Sequence, residues 1–217
     1  MNEPLHRLGL LDTPTLSDAL DKLGLAGAVS GLVPMTVKRK IVGRAVTVKL
    51  GPPLADAPKS HLGAGAVMAA VAGDIIVVDH DGRTDVSGWG GLLSRGALAA
   101  GISGVVIDGA FRDIDEARDL GLPVYGRAAV PITARGRVVE HGFNCPVAIT
   151  GTPVLPGDYV IADGSGIVFI KADRFDLVID EAEKIFARES AMAASIDAGE
   201  PIIAVLGQAY EQMLTRG

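Results

Sequence analysis

Four groups of residues have the types and spacing to do chemistry. In Asp108-Gly-Ala-Phe-Arg-Asp113 an arginine stands beside a carboxylate just after an apolar run. Ligand sites in α/β sheets gather beyond the carboxyl ends of strands, so Arg112 and Asp113 could grip a substrate carboxylate and a cation side by side. Asp113 with Glu116 also has capping-box spacing, and spacing alone leaves a helix cap and a ligand site evenly balanced. The second group, Gly88-Trp-Gly-Gly-Leu-Leu93, is a glycine-rich approach to a helix. It reads as a tight, close-packed turn, or as backbone that comes near an anion with free helix N–H groups. The third is Glu189, which interrupts an apolar stripe of Val178, Ala182, Ile185, Met192 and Ile196 on a long helix. A carboxylate on a face that must be buried needs a partner: an arginine, water at the stripe's edge, or a metal, in this chain or a neighbouring one. The fourth, Asp158 followed by Asp163-Gly-Ser-Gly, reads as a hairpin turn between two strands.

Other candidates are weaker. His6, His61, His80 and His141 have no metal-ligand spacing, and the lysines lack an apolar context for a Schiff base. Cys145 reads as a buried thiol. No Walker loop and no GxGxxG fingerprint occurs. A zinc site is disfavoured, whereas an oxygen-ligand Mg²⁺ or Mn²⁺ site that keeps its waters stays open.

The elements that must position these groups follow from punctuation by glycine. Asp12 to Gly24 predicts a helix starting at Thr15 or Ser17, and Ile41 to Leu50 a half-buried strand. Leu62 to Ala72, Gly91 to Ala100 and Ile114 to Leu120 read as helices closed by Gly73, Gly101 and Gly121. Asp74 to Asp79 and Gly104 to Asp108 read as buried strands, so this section is a βαβ-type core. Short strands follow at 124–125, 137–140, 147–150, 159–162 and 167–170, then a long helix from Asp173 to Ala198 and a shorter one near Ile202 to Leu214. The expectation is one α/β domain over 1–217 with a C-terminal helical extension, 172–217.

Composition narrows the function. With 217 residues, 48% of them apolar, the chain can build a core without disulfides, and a single cysteine excludes an internal one. The net charge is -6, and Lys38-Arg-Lys40, the densest basic patch, reads as a solvated loop rather than a nucleic-acid footprint. The first residues lack a signal-peptide pattern and no apolar run is long enough to span a bilayer, so the expectation is a cytoplasmic protein bound to neither nucleic acid nor membrane.

The ordered set Trp89-Gly-Gly-Leu-Leu93, Gly104-Val-Val-Ile-Asp-Gly109, Phe111-Arg-Asp113 and Gly157-Asp-Tyr-Val-Ile-Ala-Asp163 resembles the 4-hydroxy-4-methyl-2-oxoglutarate aldolase family, which also contains the regulators of ribonuclease activity A. The resemblance covers roughly the whole chain. It implies a swivelling β/β/α-type fold, a homotrimer or a hexamer of two trimers with intersubunit sites, and a metal-dependent lyase that releases pyruvate from a 4-hydroxy-2-oxo acid. By analogy Asp113 binds the Mg²⁺ or Mn²⁺, Arg112 pairs with the substrate, and the amides of Gly90, Gly91, Leu92 and Leu93 hold the pyruvyl carboxylate. Glu189 resembles the carboxylate that family aldolases lend to a neighbouring subunit. The same enolate arises from oxaloacetate, so its decarboxylation is an expected side activity, and loss of Arg112 is expected to cost about 3–4 kcal/mol of transition-state stabilisation.

One departure matters. Family aldolases usually carry an acidic residue where this chain has Gly91. Asp81 or Asp85 in the preceding loop could supply a replacement carboxylate. The alternative function is a non-enzymatic regulator that binds and inhibits a ribonuclease. A menaquinone methyltransferase finds no support, because no nucleotide fingerprint for a methyl donor is present.

Overall fold

The structure is a computed structural model that describes residues 3–53 and 61–207. The chain runs α1 (Glu3–Leu10), α2 (Thr13–Lys22), β1 (Ala28–Val29), β2 (Val33–Pro34), β3 (Ile41–Gly51), α3 (Ala64–Ala69), β4 (Ile75–Asp79), α4 (Gly91–Ala99), β5 (Gly104–Asp108), β6 (Ala110–Phe111) and α5 (Ile114–Asp119). It continues through β7 (Val124–Gly126), β8 (Ala128–Ala129), β9 (Val139–Phe143), β10 (Val147–Ile149), β11 (Thr152–Val154), β12 (Tyr159–Ala162), β13 (Ile167–Ile170), α6 (Phe175–Asp197) and α7 (Ile202–Val205).

The main sheet has the order β1-β13-β12-β3-β4-β5-β7-β2, with β9 also paired to β3. Its centre is parallel: β3, β4, β5 and β7 run the same way, and Asp79 lies opposite Asp108 at the ends of β4 and β5. Both strands are buried along their whole length, as parallel strands covered on two faces must be. Alternate side chains serve different cores. Ile76, Val78, Val105 and Ile107 pack with Trp89, Leu93, Ala97 and Ala117 under α4 and α5. Ile75, Val77 and Val106 pack with Val147, Ile149 and Val154 of the β10–β11 hairpin on the other face. The architecture is thus helix layer, sheet and strand layer, the β/β/α arrangement expected. A third core joins α1, α2 and α6 to β12 and β13, with Leu8, Leu16, Ile161, Ile170, Val178 and Ile185 fully buried.

Several boundaries differ from the sequence reading. The second helix starts at Thr13 because Asp12 caps it, accepting the Thr15 amide at 2.9 Å. The Asp163 turn fixes the same start, since Thr13 donates its amide (2.8 Å) and its hydroxyl (2.7 Å) to that carboxylate. The expected strand at 137–140 begins two residues later, because the amides of Arg137 and Val138 both turn back to the Ala134 carbonyl. The helix expected over 62–72 is confined to Ala64–Ala69. The stripe on α6 is buried only through Ile185; Ile196 is exposed, and much of the helix beyond leaves this chain's core. The last expected helix is described only as Ile202–Val205, and its remainder lies outside the described residues. No helix among the described residues is long and apolar enough to cross a membrane.

Candidate functional site

The carboxyl ends of β4 and β5 feed the two segments that carry the candidate chemistry. The 87–91 segment runs beside β6: Ser87 bridges to Ala110, the Gly88 amide donates to the Ala110 carbonyl (2.9 Å), and the Arg112 amide donates to the Trp89 carbonyl (3.1 Å). Trp89 is buried and donates from Nε1 to Ser94 Oγ at 3.0 Å, while Ser94 Oγ donates to the Gly90 carbonyl at 3.1 Å. These bonds fix the first turn of α4 against the start of α5, and Arg112 and Asp113 sit in the seam.

Asp113 is the helix boundary at α5, yet its side chain does not cap that helix. It adopts a left-handed backbone, φ 62° and ψ 40°, a conformation uncommon for residues other than glycine, asparagine and aspartate. This turns the carboxylate toward α4, where Oδ2 accepts the Gly91 amide at 2.8 Å. Arg112 Nε lies 3.5 Å from the same oxygen, and both side chains remain about 40% exposed. Of the two alternatives that spacing left open, the capping box is absent and the ligand site keeps its geometry. The Gly91 N–H, expected to hold a substrate carboxylate, is engaged by Asp113 instead. The amides of Leu92 and Leu93, next in the first turn of α4, are the remaining donors of that turn.

Glu116, read from the sequence only as half of a capping box, stands on the same wall. A Cβ at Gly91 would overlap Glu116 Oε2 and come within 3.3 Å of Asp113 Cβ. Its other oxygen accepts Arg95 Nε at 2.5 Å. The side chain missing at residue 91 is thus replaced in space by a carboxylate from α5. The candidate replacements do not fill that role. Asp85 is bound by Arg83 on an exposed loop, through contacts of 3.0 and 2.7 Å, and neither Asp81 nor Asp85 lines the cavity that Arg112 and Asp113 share.

That cavity has a volume of about 750 Å³. Gly90, Gly91, Leu92, Leu93, Arg112, Asp113 and Glu116 line it, so the sequence-predicted loop and Arg-Asp pair meet in one place. Thr133, Arg135 and Val138 from the segment before β9 also line it, together with His61. Sequence reading missed these because nothing local links them to Arg112. Glu189 does not line the cavity of its own chain. It lies half-buried on α6, and burial, with repulsion from Asp18 and Asp12, raises its pKa above the usual carboxylate range.

No group of three or more His, Cys, Asp or Glu side chains converges among the described residues. Asp113 does open into the cavity with a second carboxylate nearby, which fits a hard cation that binds through one or two carboxylates and keeps most of its waters.

Known proteins resemble this chain over most of its length. Protein DlpA of Legionella pneumophila is 30% identical over 91% of the chain, and the chain spans about a third of that relative (32%). A putative 4-hydroxy-4-methyl-2-oxoglutarate aldolase of Halalkalibacterium halodurans is 31% identical, with 86% of this chain and 85% of that protein aligned. The crystal structure of RraAS2 from Streptomyces coelicolor, described as an unusual member of the RNase ES inhibitor RraA family, superposes with a TM-score of 0.78 at 26% identity, covering 88% of this chain and 95% of that one. The RraA-like model, described as Aldolase/RraA, matches residues 13–169, which hold both the α4 loop and the Arg112-Asp113 seam, and the chain belongs to that family.

Proposed function

We propose that this chain is a divalent-metal-dependent lyase of the cytoplasm that cleaves a 4-hydroxy-2-oxo acid, such as 4-hydroxy-4-methyl-2-oxoglutarate, to pyruvate, with oxaloacetate decarboxylation as a side activity. The observation that carries this reading is the wall where Arg112, Asp113, Glu116 and the first turn of α4 meet. Its relatives' names point the same way.

A Mg²⁺ or Mn²⁺ ion held by Asp113 would supply Lewis acidity at the 2-keto oxygen. The Leu92 and Leu93 amides and Arg112 bind the adjacent carboxylate and hold positive potential where charge develops. Glu116 accepts the proton of the 4-hydroxyl group. As that proton leaves, the C3–C4 bond breaks and its electron pair passes to the pyruvate enolate, while C4 becomes the carbonyl of the second product. The enolate then takes a proton at C3. With oxaloacetate the same bond breaks with loss of CO₂. Arg95 keeps Glu116 against Gly91, and the strained Asp113 backbone keeps its carboxylate turned to the cavity.

The site works within an oligomer, a trimer or a pair of trimers, in this reading. Phe186, Ile202 and Ile203 on α6 and α7 are exposed, which supports packing of that extension on another subunit. Pyruvate release from oxaloacetate and from 4-hydroxy-4-methyl-2-oxoglutarate, with Mg²⁺ or Mn²⁺ and with chelator, tests the reading on wild type and Asp113→Ala. Release that needs metal and is lost in the variant is expected. Release no faster than the metal alone overturns it and favours a binding protein that captures a ribonuclease.

A further inference from the structure

The cavity is far larger than a pyruvyl group, and a separate segment supplies part of its lining. Residues 132–138 are held by backbone bonds together with the Arg137 side chain. The Ser87 amide donates to the Ile132 carbonyl at 3.0 Å, and the amides of Arg137 and Val138 donate to the Ala134 carbonyl at 2.8 and 2.9 Å. Val138 is buried in the core under α4. Arg137 turns inward on its own segment, donating to the carbonyls of Thr133 (3.2 Å) and Arg135 (3.4 Å). The result is an ordered turn that brings Thr133 and Arg135 to the cavity.

The charges nearby are otherwise matched. Arg112 pairs with Asp113, and Arg95 pairs with Glu116. The Arg135 guanidinium enters no ion pair or hydrogen bond among the described residues. A guanidinium is a planar fork of donors suited to a carboxylate. Since the Arg112 wall takes the 2-oxo-acid end, the cation on the other segment faces whatever lies beyond C3.

We propose that Arg135 is a specificity residue that binds a second carboxylate, the one borne on C4 in the fragment that departs from C3. It selects dianionic 4-hydroxy-2-oxo acids over neutral-tailed ones. This rests on the lyase reading above, and the test separates the two.

The kinetic test compares 4-hydroxy-4-methyl-2-oxoglutarate with 4-hydroxy-4-methyl-2-oxopentanoate, in which a methyl group replaces the distal carboxylate. Wild type is expected to favour the diacid. Arg135→Gln lowers kcat/KM for the diacid by about tenfold or more, mainly through KM, as loss of a charge-assisted hydrogen bond does. It leaves the neutral-tailed substrate unchanged, and Arg135→Lys recovers part of the preference. Equal loss on both substrates, or no loss on either, overturns the role of Arg135 while the lyase reading stands. If wild type turns over neither, the lyase reading fails, and calorimetric titration with 2-oxoglutarate and 2-oxopentanoate in the presence of Mg²⁺ still decides the subsite. Tighter binding of the diacid that Arg135→Gln abolishes supports it; equal binding of both acids by wild type overturns it.

Discussion

Glu116 occupies the space that a side chain at residue 91 would fill. The two positions lie on different helices, and a Cβ at Gly91 would collide with Glu116 Oε2. The collision is with the end of a flexible side chain, so a larger residue at 91 displaces the carboxylate rather than breaking the fold. Gly91→Ala is therefore expected to fold, yet to lose pyruvate release by about a hundredfold, the low end of what a positioned proton acceptor contributes. Glu116→Ala should lose a similar factor. Because the two positions share one volume, Gly91→Asp combined with Glu116→Ala should recover activity over Glu116→Ala alone. Steady-state kcat/KM for the three variants checks this, and a double variant no better than the single one counts against the exchange.

Asp113 has two tasks that one substitution separates. Its backbone is left-handed, and its carboxylate accepts the Gly91 amide. Asparagine tolerates the same backbone and can still accept that hydrogen bond through its amide oxygen. Asp113→Asn should thus melt close to wild type while losing metal-dependent pyruvate release. Metal adds a second readout. At a hundredfold excess over Kd, Mn²⁺ should stabilise wild type by about 2.7 kcal/mol, roughly 5–10 °C for a chain of this size. Asp113→Asn should show little of that shift. An equal shift in both proteins would place the cation elsewhere.

Much of this site was legible in the residues, and the remainder was not, for physical reasons. Ile75–Val78 and Val105–Ile107 are apolar runs, so the burial of these strands follows from pattern, whereas the pattern left the Arg112-Asp113 pair beyond them evenly balanced between a helix cap and a ligand site. Strands β1, β2, β6, β8 and β11 have two or three residues each, too few to show a period. Helix α1 is a short segment whose one fully buried residue is Leu8, and it gave no repeat to read. Glu116 carried a local explanation, the capping box, that fitted its spacing; only the packing of α4 on α5 shows its carboxylate directed to Gly91 and Arg95. Arg135 was invisible because the segment before β9 meets the α4 loop through tertiary contacts such as Ser87 to Ile132.

Glu189 and Asp18 make the α2–α6 contact sensitive to protons. Burial raises the pKa of both; Asp18 and Asp12 add to it at Glu189, and Asp21 and Asp12 at Asp18. The nearby cations are committed elsewhere: Lys22 to Glu181, and Arg7 to Asp180 and Glu183. A carboxyl whose folded pKa is raised binds its proton more tightly in the folded chain, so its contribution to stability is favourable at low pH. That contribution is lost as pH rises from the ordinary carboxylate range, about 4, through the folded value. Glu181 and Glu183 act in the opposite sense, since their cations lower their pKa values. The difference between variant and wild type isolates the first effect. Glu189→Gln should melt up to about 3 °C higher at pH 7, reflecting no more than about 1 kcal/mol for a partly exposed group. The gain should vanish near pH 4. A lower melting point at pH 7 would mean that Glu189 meets a cation on a neighbouring subunit, as the family resemblance implies.

Asp158 is buried, with 2% of its surface exposed, and it serves structure. One oxygen accepts Lys171 Nζ at 2.7 Å and the Leu155 amide at 2.8 Å; the other accepts the Ala172 amide at 3.3 Å. These bonds join the turn before β12 to the end of β13 and the start of the α6 region. Removing the carboxylate leaves the Leu155 and Ala172 amides without their acceptor and the Lys171 ammonium with only the Pro153 carbonyl, at 2.6 Å. A hydrogen bond to a charged group contributes about 1.5–3 kcal/mol, so losing the lysine and two amide bonds together costs roughly 3–5 kcal/mol. Asp158→Ala should accordingly lower the melting temperature by about 10 °C. Lys171→Met should cost less, because the lysine is about a third exposed (35%) and its carboxylate partner keeps two amide donors. Thermal denaturation of the two variants orders the effects, and equal losses would show that the ion pair, rather than the amide bonds, holds this corner together.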